Sequence, residues 1–594
     1  MKLLTLVLCL AALVGCAGAP TRPTTVTRGD YQQAKAYISE LIQHEMSKHG
    51  VPGLSIALVD DQRIVWAQGF GFADVEKKTP AGADTLYRVG SISKLLTDAA
   101  AMQLAEQGRL DIDAPLQTYL PGFAPKTHQP PAAAITLRQL MSHHSGLPRD
   151  RLKGFQNPEP RPFAELEQEL SDEYMAYPPD QHFSYSNVGI SLVGRVMEVQ
   201  SATPFAQHLR QSLLVPMGMS QSSFDVGPAA SAQMSLGYRK HDAVPEVALR
   251  DVPAGGLNSS VNDLSRFMSM VFAEGSSGGQ QILKPATVAE MLRPQNTAVP
   301  LDSNFHVGLG WMLSTLGKST IQNAGPVAHH GGSIGMFRSA LYVLPQHKLG
   351  VVVLGNSNTS GGVVDRVATE TLKLALQAKA GIQQPEYKPA VWADGAVPAS
   401  ALRDYAGDYT TTMGLVRIQA DGRRLKLEAL DRKFDLRMRT DGLLGLDYTL
   451  LGFIHPDLGP LSEMGFIHRS EDAGRGLLFA RVGAQEMLVG QRIAPPTGLT
   501  AAWRKRLGDY TLTNLGSDPK VAERISLVEE RGYLMLALST SDAPGETLRV
   551  VLMPVSDTQA RLLGPLAHGG ETVRVVTVDG VEQLAYSGYL VKKQ

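Results

Sequence analysis

The chain has 594 residues, 43% of them hydrophobic and 19% charged, a length that calls for roughly one core per 150 residues rather than a single one. Lys plus Arg number 56 against 57 Asp plus Glu, and a net charge of -1 leaves no basic excess to hold a nucleic-acid backbone. Only two cysteines occur, Cys9 and Cys16, both in an apolar N-terminal stretch, which excludes a disulfide framework and a four-cysteine metal cluster.

Met1 and Lys2 form a short positive region ahead of the apolar run Leu3 to Val14, which has the length of a signal segment and is too short to span a bilayer. The run ends Leu13-Val14-Gly15-Cys16, which resembles the lipobox of bacterial lipoproteins. That resemblance implies a signal peptide over 1–15 and a lipid on Cys16, holding the chain at the periplasmic face of the cell envelope, with the outer membrane as the expected location. The alternative is an ordinary secretory signal cut near Ala17-Gly18-Ala19; under either reading Cys9 is removed. Residues 16–30 read as a tether, since Ala17 to Thr27 is rich in Ala, Pro and Thr. No other run reaches the ~18 apolar residues of a spanning helix, so a lipid is the expected route to a membrane.

From Tyr31 to Lys379 helical patterns alternate with short strands, and from Leu402 onward nearly every segment reads as strand and turn. Leu54 to Val59 and Ile64 to Trp66 flank Asp60-Asp61-Gln62-Arg63 as one hairpin, and Phe337 to Leu344 and Gly350 to Leu354 flank a turn as another. With helices between them, the order predicts an α+β domain over 31–380 whose sheet is assembled from both ends. Residues 381–400, with Pro385, Pro389 and Pro398, read as a linker.

Beyond the linker, Leu402-Arg-Asp-Tyr-Ala-Gly407-Asp408-Tyr409-Thr410 recurs as Trp503-Arg-Lys-Arg-Leu-Gly508-Asp509-Tyr510-Thr511, which predicts two similar modules over 401–495 and 496–594. Leu415 to Ala420 and Leu425 to Leu430 alternate around Asp421-Gly422 as a hairpin in the first; Ile525 to Val528 and Tyr533 to Leu538 do the same in the second. The modules resemble the lipocalin-like β-barrels appended to some serine hydrolases, with a generic β-sandwich as the alternative.

Ser91-Ile92-Ser93-Lys94 opens a segment in which Ile92, Leu95, Leu96, Ala99, Met102 and Leu104 keep helical spacing up to Gly108, so Ser91 and Lys94 share a face. A serine hydroxyl is a weak nucleophile until its proton is taken, and an amine one turn away takes it if burial lowers the amine's pKa. The helix N-terminus adds a positive end that disfavours ammonium and favours an oxyanion. Alone, so short a motif also fits a capping serine and a solvated lysine. Further on, Tyr185 and Asn187 lie just before an apolar helix, Val188 to Val199; a tyrosinate beside ammonium groups relays protons, and an asparagine holds both a lysine and a carbonyl. Alone, they fit a buried hydroxyl and a cap. His329-His330-Gly331-Gly332-Ser333 precedes the strand Phe337 to Leu344, and glycines on an edge strand let a substrate approach an exposed N–H.

Taken in order, S-x-x-K, Y-x-N and H-x-G resemble the pattern of the penicillin-binding-protein-like serine hydrolases, the class C β-lactamase-related group with D-Ala-D-Ala carboxypeptidase, D-aminopeptidase and esterase members. Flanking segments extend the likeness: Gly69 to Asp74, Leu140 to Pro148, Pro253 to Leu257 and Gly308 to Trp311. The resemblance implies a Ser91 acyl-enzyme, Lys94 and Tyr185 as the proton-handling pair, and Asn187 placing Lys94 and the substrate amide. It also implies substrate contact at His330 and Gly332 and an oxyanion hole from the N–H groups of Ser91 and Ser333. It implies neither metal nor cofactor, and a small peptide, ester or β-lactam as substrate.

Many members carry Lys-Thr-Gly where this chain has His330-Gly331-Gly332, and the loss of the threonine hydroxyl weakens the expectation of strong β-lactamase activity. Arg338 is a candidate for the missing positive charge. Gly331-Gly332-Ser333-Ile334-Gly335 matches G-x-S-x-G, but a strand follows it where a nucleophile elbow needs a helix. His44 and His49 sit about 140° apart on a helix and share no metal-binding face. The pairs His143-His144 and His329-His330 lack acidic partners at ligand spacing, so packing or substrate contact is expected of them. The expected activity is acyl transfer by a D-Ala-D-Ala carboxypeptidase, D-aminopeptidase or β-lactamase-like peptidase. The alternatives are a small-ester esterase and a penicillin- or cell-wall-fragment-binding protein with little turnover.

Overall fold

A computed structural model of the chain describes residues 19–128, 134–315, 317–385, 391–411, 413–429, 432–448, 459–470, 476–520, 522–539, 547–565 and 568–594. The signal segment with Cys9 and Cys16, part of the linker, and Leu430 lie outside the described residues. No helix among the described residues is long and apolar enough to cross a membrane.

The first domain is built on a six-stranded antiparallel sheet of β1 (Gly53–Asp60), β2 (Arg63–Asp74), β3 (Thr79–Pro80), β4 (Ala328–Ile334), β5 (Phe337–Leu344) and β6 (Leu349–Gly355), in the spatial order β4-β5-β6-β1-β2-β3. The join between the two ends of the domain is the β1–β6 ladder, from Leu54 opposite Gly355 to Asp60 opposite Leu349. Four helices matter to the site and its support: α1 (Gln32–His49), α2 (Ser93–Glu106), α3 (Asn187–Ser201) and α4 (Gly361–Ala380). In β1, Leu54, Ile56 and Leu58 enter a core with α1 and α4, while Ala57 and Val59 enter the opposite core with α2 and α3. Burial on both faces explains why this strand reads as a continuous apolar run rather than an alternating one. Each such Leu or Val contributes about 1.5–3 kcal/mol of burial.

The two modules that follow are closed eight-stranded antiparallel barrels, from Gly407–Thr411 to Gln485–Arg492 and from Gly508–Leu512 to Tyr589–Lys593. Closure pairs the first and last strands, Tyr409 with Arg492 and Tyr510 with Lys593, so neither barrel leaves an open edge. The repeated Gly-Asp-Tyr-Thr has a common structural meaning. Tyr409 donates its hydroxyl to Tyr405 O at 3.0 Å and Tyr510 to Arg506 O at 2.6 Å, each pinning a short helix to the opening strand. The aspartates pair across the strand in both, Asp408 with Arg417 and Asp509 with Arg524. The linker is not wholly free: Ala393 donates its N–H to Met438 O and Thr440 to Val391 O, laying this stretch along the first barrel.

Both barrels dock on the first domain. Leu301 packs among Leu477, Phe479 and Leu488 of the first barrel, and Ser303 donates to Glu486 at 3.0 Å. In the second, Asp518 accepts from Lys153 Nζ, Gly154 N, Asn157 Nδ2 and Tyr589 Oη at 2.6–3.0 Å, with its side chain wholly buried.

Candidate active site

Ser91 lies on a 3₁₀ turn, Gly90–Ile92, that runs directly into α2. Gly90 has φ of 54°, and a Cβ there would lie 2.7 Å from Ser333 N, so only glycine lets the turn meet β4. A Cβ at Gly332 would lie 2.0 Å from Val89 O, for the same reason on the other side of the contact. Ser93 ties the turn down, donating to Gly90 O at 2.6 Å and accepting from Leu257 N at 3.0 Å.

Lys94 is fully buried and donates from Nζ to Ser91 Oγ at 3.2 Å and to Ala254 O at 2.7 Å. Ala254 is held there because Thr97 donates to Pro253 O at 2.7 Å, which lays the Pro253-Ala-Gly-Gly stretch against α2. Burial lowers the Lys94 pKa to about 7, against the opposing pull of Asp150, Asp98 and Asp251 and with the help of Arg149. A neutral amine is therefore populated near pH 7 at hydrogen-bond distance from the serine hydroxyl.

The Tyr185 hydroxyl accepts from the Ser91 side chain, and its ring lies 4.9 Å from Lys94 Nζ. The His143 ring packs on it at 4.2 Å and the Arg149 guanidinium at 5.0 Å. Burial raises its pKa above that of an ordinary phenol, even with the hydrogen bond from Ser91 pulling the other way. The expected tyrosinate is thus corrected to a protonated tyrosine, and of the pair it is Lys94 whose basic form is available at neutral pH.

Asn187 departs from the expectation as well. It opens α3 behind the capping Ser186 and donates Nδ2 to Asp150 Oδ1 at 2.7 Å, while Lys94 is held by Ala254 and Ser91. A carboxylate from the 149–154 stretch has taken the amide, and the same carboxylate favours the charged form of the lysine.

His330, Gly332 and Ser333 lie on β4, the edge strand facing Ser91. His330 points inward, its Nδ1 2.6 Å from Gly331 O, and burial pushes its pKa down to about 3, so it is neutral and supplies no cation. His329 stacks on Tyr342 at 4.6 Å with Nε2 2.8 Å from Ser314 O. Arg338 turns back to Gly335 O and Phe337 O at 2.9 and 2.7 Å. It is a brace for the β4–β5 turn.

Sequence reasoning missed Asp150, Asp98 and Ala254 as neighbours of Lys94, and Arg149 as the cation beside Tyr185. Asp98 follows Lys94 by one helical turn, is fully buried, and has a pKa raised well above the carboxylate range by burial. Of the paired histidines, His144 sits 2.7 Å from Asp302 and His143 supports Tyr185. No cluster of three or more His, Cys, Asp or Glu suited to a metal occurs among the described residues.

A two-face-covered antiparallel sheet with a Ser–Lys–Tyr cluster around a buried lysine at its edge defines the β-lactamase/transpeptidase-like class. The chain belongs to the Beta-lactamase family, whose model matches residues 38–376, and the family is one of serine hydrolases. It is 25% identical over 352 residues to Protein flp of Staphylococcus aureus (strain N315), an alignment covering 57% of this chain and 65% of that relative. Among solved structures, SurE with D-Leu aligns over 77% of this chain and 99% of its own, at 21% identity and a TM-score of 0.53. The octameric penicillin-binding protein homologue from Pyrococcus abyssi aligns over 77% and 100%, at 21% identity and 0.51.

Proposed function

We propose that this protein hydrolyses amide or ester bonds of small peptides through an acyl-enzyme on Ser91. The observation that carries the proposal is the Ser91 hydroxyl held between Lys94 Nζ, 3.2 Å away and made basic near pH 7 by burial, and the Tyr185 hydroxyl, which accepts from it. In the first step neutral Lys94 takes the Ser91 proton while Oγ forms a bond to the substrate carbonyl carbon. The carbonyl oxygen takes up the negative charge, within reach of the Ser91 and Ser333 N–H groups. Collapse breaks the bond to the leaving nitrogen or oxygen, which receives a proton from Lys94 by way of the Tyr185 hydroxyl. Water then attacks the acyl carbon as Lys94 takes its proton; the bond to Ser91 Oγ breaks, Lys94 returns the proton to Oγ, and the acid leaves.

A peptidase of the D-Ala-D-Ala carboxypeptidase or D-aminopeptidase kind is the favoured activity, in keeping with the D-Leu bound by the similar SurE fold. A neutral His330 with no neighbouring threonine hydroxyl argues against strong β-lactam turnover. The same two features favour a small-ester esterase as the second reading. We also propose export and a lipid on Cys16, supported by the lipobox-like Leu13 to Cys16.

A fluorescent penicillin and a fluorophosphonate test the nucleophile: labelling is expected in the wild type and absent in Ser91→Ala, and unchanged labelling of that variant overturns the assignment. Turnover of a D-Ala-D-Ala peptide against p-nitrophenyl acetate separates peptidase from esterase. Labelling without turnover of either points to a binding protein. Mass spectrometry of the N-terminal peptide from membranes, with and without Cys16→Ser, tests the anchor.

A further inference from the structure

A cavity of about 280 Å³ opens over Tyr185, and three parts of the chain wall it. Phe183, Leu301 and Phe305 come from the first domain, Met487 and Leu488 from the first barrel, and Pro565 from the second. These walls are apolar. The polar lining is largely spent or neutral: Asp302 accepts from His144, Phe183 N and Asn296, and burial lowers the His182 pKa to about 4.

Arg149 is the exception. Its guanidinium lies 5.0 Å from the Tyr185 ring centroid, and its Nε lies 3.4 Å from Asp150 Oδ2. The other Asp150 oxygen, Oδ1, accepts from Asn187. The second barrel holds the backbone of this stretch. Glu571 accepts the Arg149 N–H at 3.0 Å, and Ser587 donates to Asp150 O at 3.0 Å and accepts from Leu152 N at 2.8 Å. A guanidinium that makes no side-chain hydrogen bond among the described residues, is about a third exposed (34%) and lines a small apolar chamber is suited to a carboxylate.

We infer that the two barrels complete a specificity pocket for a small substrate carrying one apolar side chain beside a carboxylate, with Arg149 as the carboxylate contact and Met487, Leu488 and Pro565 as the size limit. The inference rests on the hydrolase reading for the chemistry that follows binding, but the pocket itself does not need turnover. A volume of about 280 Å³ lies at or below the lower end of ordinary ligand sites, about 300–1,000 Å³, and suits one amino-acid residue rather than a polymer.

The test is calorimetry on the full chain carrying Ser91→Ala, with both enantiomers of N-acetylleucine, N-acetylleucinamide and N-acetylglycine as probes. One enantiomer of N-acetylleucine is expected to bind at least about tenfold more tightly than the amide or the glycine compound. Arg149→Met should abolish the preference for acid over amide and keep that for leucine over glycine. Leu488→Trp should do the reverse; if it fails to fold, Met487→Ala, which enlarges the chamber, should extend tight binding to N-acetyltryptophan. Equal binding of all the probes, or preferences that survive these substitutions, overturns the inference. Fluorophosphonate labelling of the wild type reports separately on the hydrolase reading: labelling without selective binding refutes the pocket alone, and selective binding without labelling refutes the hydrolase alone.

Discussion

Acylation of Ser91 should rise about tenfold between pH 6 and pH 8, because Lys94 acts as base only when neutral and burial sets its pKa at about 7. About one molecule in eleven has a neutral lysine at pH 6 and about ten in eleven at pH 8; with the ordinary lysine value, about 10.4, only about one in 2,500 would be neutral at pH 7. Burial therefore enriches the working base by about a thousandfold. The assay is the second-order rate of labelling by a fluorophosphonate, a probe that does not itself titrate here, measured from pH 5.5 to pH 9. Asp150 is the anion that most strongly favours the charged lysine, so Asp150→Asn should move the limb to lower pH. A profile flat across this range, or a limb above pH 9, refutes Lys94 as the base. The same shift bears on stability: between about pH 7 and pH 10 the folded protein binds fewer protons at Lys94 than the unfolded chain, so stability gains with rising pH over that window.

Tyr185→Phe keeps the ring that packs on His143 but removes the hydroxyl on Ser91, and labelling should slow by about 10²–10⁴-fold with circular dichroism unchanged. Gly332→Ala drives a Cβ into the Val89 carbonyl, 2.0 Å away, and should cost about 1–3 kcal/mol in urea unfolding together with most of the labelling. Asp518→Ala removes an acceptor from four donors, leaving Lys153 only Leu515 O and Asn157 only Ser517, and should cost about 3–5 kcal/mol at the second-barrel interface. Burial alone would raise the Asp518 pKa, but the hydrogen bonds from Lys153, Asn157, Gly154 and Tyr589 outweigh it and hold the carboxyl below its usual range. Its contribution is accordingly in full force above about pH 4 and fades as pH falls through the lowered value; salt-insensitive undocking below pH 3, followed by limited proteolysis near residue 500, would show this.

The features legible in the sequence are those whose geometry is local. Ser91 and Lys94 fall on one face because three residues make nearly one helical turn, and the hairpins around Asp61 and Gly422 follow from alternation and turn chemistry. What the sequence could not display were partners chosen across the fold. Asn187 pairs with Asp150 rather than Lys94, and the protonation of Tyr185 depends on how deeply its surroundings bury it. The Gly-Asp-Tyr-Thr repeat was visible, yet its reason, a tyrosine hydroxyl reaching four residues back, needed the barrels. That the barrels wall the chamber could not be read at all, since Leu488 and Pro565 carry no signature beyond being apolar.

The bond from Ser587 to the Asp150 carbonyl spans 437 positions of chain. Contacts so distant in sequence form slowly, because a long loop must close before they repay its entropy. The segment carrying Arg149 and Asp150 therefore gains its final support only after the second barrel has folded and docked. A chain whose first domain has formed before the second barrel docks lacks the bonds that hold the backbone of Arg149 and Asp150.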